Sequence, residues 1–188
     1  ADADARSAAM HQRHIAVVGG GAAGFFGAIA AAEADPAVRV TLYEATSHLL
    51  AKVKISGGGR CNVTHACFEP RDLARRYPRG GRELTGAFSR FQPRDTIAWF
   101  EARGVALKTE EDGRMFPVTD DSQTIVDCLL GAARKAGVVI RTPCGVKSAV
   151  RAAAGGFELA LTSGETVTVD RLLLATGGNR SNAGLEMA

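Results

Sequence analysis

The feature that most constrains the fold is a short apolar segment that leads directly into a glycine-rich turn. Residues 15–18 are apolar, and they are followed by Gly19-Gly20-Gly21-Ala22-Ala23-Gly24, a G-x-G-x-x-G sequence that opens an alanine-rich segment. Glu44 lies 20 residues beyond Gly24, directly after a second apolar run at residues 40–43. This order of strand, turn, helix, strand and acid is typical of a βαβ unit that binds a dinucleotide.

Each residue type in this pattern has a physical role in holding a diphosphate. Gly19 permits the tight turn, Gly21 lets the backbone approach a pyrophosphate, and Gly24 lets the helix lie close to the strand. The helix N-terminus offers N–H groups and a partial positive charge to the phosphates. Glu44 can accept hydrogen bonds from ribose hydroxyls and would repel a 2′-phosphate. Because glycine makes up 22 of the 188 residues, a glycine-rich turn in another kind of α/β protein is the alternative.

The remaining pattern predicts an α/β fold with a Rossmann-like parallel sheet and an antiparallel β-meander. The strands are predicted at residues 15–18, 39–43, 138–141, 146–150, 157–162, 165–169 and 172–174. Segments 146–150, 157–162 and 165–169 form the meander, because they are separated by Gly-Gly and Ser-Gly turns. The continuous apolar run at residues 172–174 predicts a fully buried strand, which ends in Ala175-Thr176-Gly177-Gly178.

The middle of the chain has a different pattern, with predicted helices and a hairpin between the first βαβ unit and the meander. Residues 45–62 show no clean hydrophobic period. They end in a dense glycine run at residues 56–62, and this run predicts a loop that turns sharply or approaches another group closely. Helices are predicted over residues 22–34, in part of 71–91, over 93–103, and after the N-cap segment 120–122 up to Gly137. Asp112-Gly113 predicts a tight hairpin. We therefore expect a flexible lead-in at residues 1–13, and one domain over 14–188 with a helical and hairpin insertion at about 65–120.

Composition excludes several classes of protein. The net charge is only +3, and no run of about 18 apolar residues could span a membrane. The N-terminal segment lacks the apolar core of a secretory signal, so a cytoplasmic location is predicted, and His14 is assigned with His11 to the lead-in. No C-x-x-C or zinc-like spacing occurs, so the cysteines are predicted to be free thiols and no metal site is predicted.

An arginine-rich stretch raises the question of nucleic-acid binding. Between Arg60 and Arg103 there are nine arginines against five acidic residues. Such an excess could follow a phosphate backbone. A solvated helical face explains the composition equally well, so we favour that interpretation and do not predict a nucleic-acid partner.

A longer motif carries a family resemblance. It reads Lys52-x-x-Ile55-Ser56-Gly57-Gly58-Gly59-Arg60-Cys61-Asn62-Val63-Thr64. With the N-terminal glycine pattern, Gly113-Arg114-x-Phe116-Pro117 and the Ala-Thr-Gly-Gly turn, the chain resembles the BaiN/RdsA-type family of NAD(P)/FAD-dependent oxidoreductases over residues 14–188. Two departures stand out. His65 follows Thr64 where the family usually has Asn, and family chains are about twice as long, so the chain is interpreted as an N-terminal, truncated portion.

The resemblance implies a site for FAD, with NAD(P)H as a possible electron donor. It implies that the following residues contact the cofactor: Gly19, Gly21, Ala23 and Gly24 at the pyrophosphate; Glu44 with the adjacent Ala45 at the adenosine ribose; Val146 at the adenine through its backbone; Lys52, Ser56, Gly57, Gly58, Gly59, Arg60, Cys61 and Asn62 near the flavin or the diphosphate; and Ala175, Thr176 and Gly177 where the last strand ends.

Several of these residues have simpler interpretations. Lys52 and Arg60 could be solvated loop charges, and Val146 an ordinary strand valine. Asn62 could anchor its loop or bond the cofactor, and both remain open. Cys61 is interpreted as a buried, unreactive thiol, because a disulfide-exchanging enzyme normally has two thiols on one helical turn.

These observations predict an FAD-dependent oxidoreductase, or its FAD-binding portion, that transfers hydride through the flavin. Neither a substrate, nor a catalytic acid or base, nor the oligomeric state follows from the residues. Three alternatives stay open: an NAD-binding dehydrogenase domain, a non-catalytic nucleotide-binding module, and a truncated product that folds without a cofactor.

Overall fold

The structure, a computed structural model, describes residues 12–178 of the chain. Its elements are β1 (His14–Val18), α1 (Ala22–Ala34), β2 (Arg39–Tyr43), α2 (Ala51–Gly59), β3 (Thr64–His65), α3 (Pro70–Arg75), α4 (Gly81–Phe88), α5 (Pro93–Glu101), β4 (Leu107–Thr109), β5 (Arg114–Pro117), α6 (Ser122–Lys135), β6 (Val139–Arg141), β7 (Val146–Arg151), β8 (Phe157–Leu161), β9 (Thr166–Val169) and β10 (Arg171–Leu174). Most of the predicted lead-in and the element expected after residue 179 lie outside the described residues. The described residues form two compact units, one of residues 12–50 and 130–178, the other Ala51–Leu129.

A four-stranded parallel sheet forms the centre of the first unit. Its strand order is β10-β1-β2-β6, with β1 paired to β2 and to β10. Helix α1 connects β1 to β2 and has the predicted bounds. It buries Phe25, Ala28 and Ile29, and it lies against β1, β2 and β10. The predicted α/β class with a Rossmann-type βαβ unit is confirmed.

The strand register brings three chain segments to one edge of this sheet. Val18 is the register partner of both Tyr43 and Leu174, so β1, β2 and β10 end at the same level. Gly19, Glu44 and Ala175 each follow one of these strand ends. The carboxyl edge of an open parallel sheet is where such folds bind ligands.

The antiparallel meander β7-β8-β9 is also confirmed. Strand β8 alternates as predicted, with Leu159 and Leu161 buried while Glu158 is exposed. Leu159 and Leu161 share a hydrophobic cluster with Ala16 of β1 and Tyr43 of β2. The meander therefore covers one face of the parallel sheet, while α1 lies against the same strands through its own buried side chains.

The prediction that residues 172–174 are fully buried is wrong. Burial alternates along β10 between exposed and intermediate positions, and Leu173 is 39% exposed. The physical reason is position: β10 is an edge strand of the sheet, so within the described residues it has a paired neighbour on one side only. An apolar run alone does not distinguish an edge strand from a central one.

The assignment of His14 to the lead-in is also wrong. His14 is the first residue of β1 and is buried, with its Nε2 atom 2.8 Å from Thr41 Oγ1 on β2. Its backbone N–H donates to the Asp170 carboxylate. The strand begins one residue earlier than the apolar run indicates, since His14 is the register partner of Arg39 on β2, and the buried Thr41 hydroxyl satisfies the imidazole.

Protonation of His14 is expected to destabilise the first unit. Burial, with the nearby Arg39 charge second, lowers the pKa of His14 from its ordinary 6.5. A histidine with a lowered folded pKa binds more protons unfolded, so its stabilising contribution is complete above 6.5 and is lost as the pH falls below it. Urea unfolding from about pH 7.5 to about pH 5 should show this loss. His14→Asn should unfold with a weaker pH dependence; an identical profile in both proteins would contradict the assignment.

The second unit contains the antiparallel sheet β3-β5-β4 and helices α3, α4 and α5. The predicted hairpin turn at Asp112-Gly113 connects β4 to β5, and the stretch 71–91 is helical in part, as predicted. Residues 45–62, which show no clean hydrophobic period, contain α2 at Ala51–Gly59, and only the glycine run at their end was predicted to be a loop. This short helix buries only Val53, which explains the missing period, and its backbone is non-helical from Ser56 to Gly58.

Candidate dinucleotide site

The first residue of the glycine turn after β1, Gly19, is held by neighbouring backbone. The Gly19 N–H donates to Tyr43 O at 2.8 Å, and Gly19 has a φ of +113°. A Cβ atom at position 19 would lie 2.4 Å from Ala175 O. Glycine is therefore required at position 19 both by the backbone conformation and by the close approach of the chain after β10.

Gly24 is required for a different reason. Its position in the first turn of α1 would place a Cβ atom 1.8 Å from Gly19 O and 3.6 Å from Ala175 Cβ. This confirms that Gly24 lets the helix approach the preceding turn closely. Gly19 and Gly24 thus fix the corner between β1 and α1 through contacts inside the protein.

Gly21 is the one glycine of the G-x-G-x-x-G pattern whose Cβ position is open. It is the N-cap of α1, with φ −89° and ψ −174°, and a Cβ atom there would meet nothing within 4 Å. No side chain caps the helix, and its first turn carries no acidic residue. The following residues, Ala22 and Ala23, are exposed. The positive end of α1 is therefore accessible beside a glycine that no protein contact requires.

Glu44 is held beside this turn by three hydrogen bonds. Its Oε2 accepts from the Gly20 N–H at 2.8 Å, and its Oε1 accepts from the Thr46 N–H and the Thr46 hydroxyl, both at 2.9 Å. A carboxylate has about four lone-pair sites, so about one remains, on Oε2. Glu44 is partly exposed and can accept one further hydroxyl donor without losing a protein contact.

Gly20 and Thr46 support this acid but were missed in the sequence interpretation. A Cβ atom at position 20 would lie 2.9 Å from both Glu44 Cβ and Leu49 Cδ2. Thr46, two residues after the acid, folds its backbone N–H and hydroxyl back onto Glu44. The signal for Thr46 was present, because serine and threonine often form such local turns. The contact of Gly20 depends on the β1–β2 register and has no local signal.

Three other predicted residues belong to the first unit, namely Ala45, Val146 and Ala175. Ala45 is exposed and follows Glu44, and its Cβ would lie 3.0 Å from a Cβ at Gly145. Val146 begins β7 and is the register partner of Leu161. The Ala175 N–H donates to Val18 O, which fixes the start of the turn after β10. Contacts of these residues with a cofactor remain predictions.

The Ser-Gly-Gly-Gly motif lies in the second unit, at the end of α2. The Cys61 N–H donates to Ser56 O at 3.0 Å, which closes the glycine loop, and Ser56 Oγ donates to Val53 O. Gly57 and Gly58 have φ values of +57° and +68°. The motif is therefore a compact backbone loop in the left-handed region, where glycine is favoured.

The glycines of this loop have different surroundings. A Cβ atom at Gly57 would lie 2.8 Å from Phe116 Cε1 and 2.9 Å from Asn62 N. Nothing lies within 4 Å of such an atom at Gly58 or Gly59. Contacts inside the second unit thus account for Gly57, whereas Gly58 and Gly59 leave open space in front of the loop.

Arg60 and Asn62 make contacts within the second unit. Arg60 Nη1 lies 2.5 Å from Glu110 Oε1 and 3.4 Å from Asp120 Oδ1, and its guanidinium lies 4.0 Å from the Phe116 ring centroid. The Asn62 amide, oriented to suit its neighbours, donates to the carbonyls of Thr64 and Met115. Of the two roles left open for Asn62, the structure supports the anchor.

Cys61 is buried beneath the loop with a φ of +62°. Burial raises the pKa of the Cys61 thiol, although a hydrogen bond with Ser56 opposes the change. The thiol form is therefore favoured at neutral pH, which agrees with the predicted unreactive role.

All four cysteines are free. Lys52 is exposed on α2. Within residues 12–178, no group of three or more candidate ligands could hold a metal ion.

None of the helices in residues 12–178 is long and apolar enough to cross a membrane.

Curated proteins similar to the chain include the 3-dehydro-bile acid delta(4,6)-reductase of Clostridium scindens, 29% identical over 169 residues, covering 90% of this chain and 40% of that protein. The ribosomal RNA dihydrouridine synthase of Escherichia coli is 34% identical over 162 residues, covering 86% and 38%. The chain thus spans about two fifths of the length of these relatives.

Solved structures share the fold at low sequence identity. The THI4 protein of Thermovibrio ammonificans has a TM-score of 0.55 at 14% identity, covering 90% of this chain and 64% of that one. A variant of NikD, an unusual amino acid oxidase of nikkomycin biosynthesis, has a TM-score of 0.51 at 19% identity, covering 93% and 54%. A sequence model of the HI0933-like protein Rossmann domain matches residues 13–184. The family resemblance is thereby confirmed, and the chain belongs to the HI0933-like Rossmann domain family.

Proposed function

We propose that the chain is the FAD-binding portion of a flavin-dependent oxidoreductase. The observation that carries the proposal is the open space at Gly21, directly beside the fixed carboxylate of Glu44. Gly19 and Gly24 are explained by contacts inside the protein, but Gly21 is not. A position whose missing side chain leaves room at a helix N-terminus suits a pyrophosphate.

The residues at this edge fit the adenosine diphosphate half of FAD. The N-terminus of α1, at Gly21 to Ala23, would hold the pyrophosphate through backbone N–H groups. The remaining lone pair of Glu44 would accept a ribose hydroxyl, and its charge would reject a 2′-phosphate. Ala45 would lie with Glu44 at the ribose, and Val146 would contact the adenine through its backbone. Ala175, Thr176 and Gly177 would contact the cofactor after β10.

The second unit would supply contacts to the flavin half. The open positions Gly58 and Gly59, with Ser56 and Gly57 behind them, would let the backbone approach a ring, and Lys52 would provide a positive charge. Arg60 is already paired with Glu110. Its proposed contact with the cofactor would therefore use the remaining N–H groups of the guanidinium or would replace Glu110 as the partner. Cys61 and Asn62 would act by holding the loop in shape.

FAD, when bound, supplies hydride transfer. The names of the two curated relatives, a delta(4,6)-reductase and a dihydrouridine synthase, both denote addition of hydrogen to a double bond. We extend this chemistry to the whole protein as reduction of an activated double bond, with NAD(P)H as electron donor. The four free thiols support a cytoplasmic location.

Titration of the full chain with FAD, NAD, ADP and 2′-phospho-ADP tests the proposal. We expect FAD and ADP to bind and 2′-phospho-ADP to bind at least about tenfold more weakly, a difference of about 1.4 kcal/mol. Isothermal titration calorimetry measures these affinities, and denaturation of the purified protein identifies any nucleotide that it carries. Binding of NAD in preference to FAD would support the dehydrogenase alternative instead.

Glu44 variants locate the binding site. Glu44→Ala should weaken ADP and FAD binding by about 1.5–3 kcal/mol, because a hydrogen bond to a charged group is lost. It should also lower the free energy of unfolding by about 1 kcal/mol, since Gly20 and Thr46 lose their acceptor. Glu44→Gln keeps an acceptor for Gly20 and serves as the control, with a smaller loss in both quantities. Unchanged affinity in Glu44→Ala would remove the ribose assignment.

A further inference from the structure

Positive charge is concentrated in one segment of the second unit. Residues 69–91 contain six arginines against three acidic residues, an excess equal to the net charge of +3 of the whole chain. In the rest of the sequence, the numbers of basic and acidic residues are therefore equal. This concentration lies apart in sequence from the glycine turn and from the Ser-Gly-Gly-Gly loop.

The segment is a packed helical hairpin rather than an irregular loop. Helices α3 and α4 approach so closely that a Cβ atom at Gly81 would lie 2.3 Å from Ala74 O. Leu73 and Ala74 are buried, and the ring of Tyr77, between the helices, lies 5.3 Å from that of Phe88. The hairpin is therefore anchored through α3 and through the contacts of Gly81 and Tyr77, while α4 itself buries no residue.

The arginines of this hairpin are exposed. We call the exposed set the hairpin surface: Arg71, Arg76, Arg79, Arg82 and Arg90. Within residues 12–178, none of these five forms an ion pair, and Arg75 alone in the segment is paired, with Asp72. Outside the hairpin, Arg60, Arg114 and Arg141 are each bonded to a carboxylate, whereas others such as Arg39 and Arg134 are exposed without an ion pair among the described residues. The hairpin surface is therefore distinguished by the concentration of such arginines in one short segment.

Two aromatic rings accompany these charges. Tyr77, next to Arg76, is 45% exposed, and Phe91, next to Arg90, is 41% exposed. The segment also carries three exposed acidic residues, of which Asp72 is paired with Arg75, so positive charge predominates without being the only sign present. Solvation of a helical face does not by itself require exposed rings. Arg71 and Arg75, four residues apart in α3, even repel one another slightly. Unpaired arginines combined with accessible rings are the composition that binds phosphodiester backbones and unstacked bases.

We propose that the hairpin surface binds single-stranded nucleic acid. The arginines contact phosphates, and Tyr77 offers its exposed face to a base. This replaces the sequence-based preference for a purely solvated face, because the sequence did not reveal that these arginines form no ion pair with any carboxylate in residues 12–178. The proposal is independent of the cofactor site, since every residue that carries it belongs to residues 69–91.

Fluorescence anisotropy of labelled single-stranded RNA, and of DNA of the same sequence, tests the proposal on the full chain. Arg76→Gln/Arg79→Gln should weaken binding about tenfold near physiological salt and reduce the slope of log K against log salt by about 1.4. Arg39→Gln/Arg134→Gln removes the same charge from exposed positions outside the hairpin and is the control. It should leave both quantities nearly unchanged.

A second variant separates nucleic acid from other polyanions. Tyr77→Leu keeps an apolar contact with Phe88 and removes the exposed aromatic face. It should weaken RNA binding about fivefold or more, because stacking on an aromatic ring is lost, while heparin binding stays unchanged. Stronger binding of RNA than of DNA, or the reverse, identifies the natural polymer.

Three results would overturn the proposal: no binding of either polymer, equal losses in the hairpin and control variants, or binding to phosphatidylglycerol vesicles without binding to nucleic acid. ADP affinity of the hairpin variant, measured in parallel, should equal that of the wild type. Failure here and failure of the dinucleotide site are therefore distinguishable.

Discussion

Replacement of Gly21 by valine is expected to abolish dinucleotide binding while the protein stays folded. A side chain at this position meets no protein atom within 4 Å, and its φ of −89° is accessible to any residue. The added side chain would instead fill the space in front of the α1 N-terminus, where the pyrophosphate is proposed to lie. We expect a loss of at least about 2.8 kcal/mol in ADP and FAD affinity, or 100-fold.

The stability of the Gly21→Val protein is the essential second measurement. A β-branched residue is a poorer N-cap than glycine, but fewer unfolded conformations partly offset that cost, so the free energy of unfolding should change by less than about 1 kcal/mol. Gly131→Ala, on the exposed surface of α6, is the matched control and should bind normally. Retention of ADP affinity in a folded Gly21→Val protein would mean that the turn does not face a phosphate.

The opposite result is expected at Gly24, three residues along the same motif. Gly24→Ala would place a methyl group 1.8 Å from the carbonyl oxygen of Gly19. The obstacle is backbone, so no side-chain rotation can relieve the overlap, and α1 must move away from β1. Overpacking of this kind costs about 3 kcal/mol. We expect a correspondingly lower midpoint in urea unfolding, whether or not a nucleotide is present.

Gly131→Ala again provides the comparison for Gly24→Ala, because it adds the same methyl group in open space. It should be neutral or slightly stabilising, by up to about 1 kcal/mol. A Gly24→Ala protein as stable as Gly131→Ala would show that the corner between β1 and α1 has room to adjust. The contrast between Gly21 and Gly24 separates a binding role from a structural one.

Much of the fold follows from local sequence patterns. The bounds of α1 and β2, the hairpin at Asp112-Gly113 and the three-stranded meander were all predicted, because glycine, proline and alternation act over a few residues. The errors fall where burial depends on a distant neighbour. Leu173 is apolar but lies on an edge strand, and His14 is polar but lies in the sheet beside Thr41.

In the candidate site too, local patterns identified the segments, whereas the contacts between distant residues were not predicted. The sequence identified the glycine turn, Glu44 and the Ser-Gly-Gly-Gly loop as segments. It attributed the glycines of the loop to the flavin, whereas Gly57 is required by Phe116 and Asn62. It offered Arg60 to the cofactor, although Glu110, 50 residues away, holds that guanidinium.

The sequence by itself determined the order of the elements, the βαβ unit and the positions of the turn and the acid, because these depend on backbone preferences that act between near neighbours. Only the tertiary structure decided which glycine touches protein and which faces open space, and which arginines have carboxylate partners. Those properties depend on strand register and on packing between residues far apart in the chain, and a linear pattern contains neither distance.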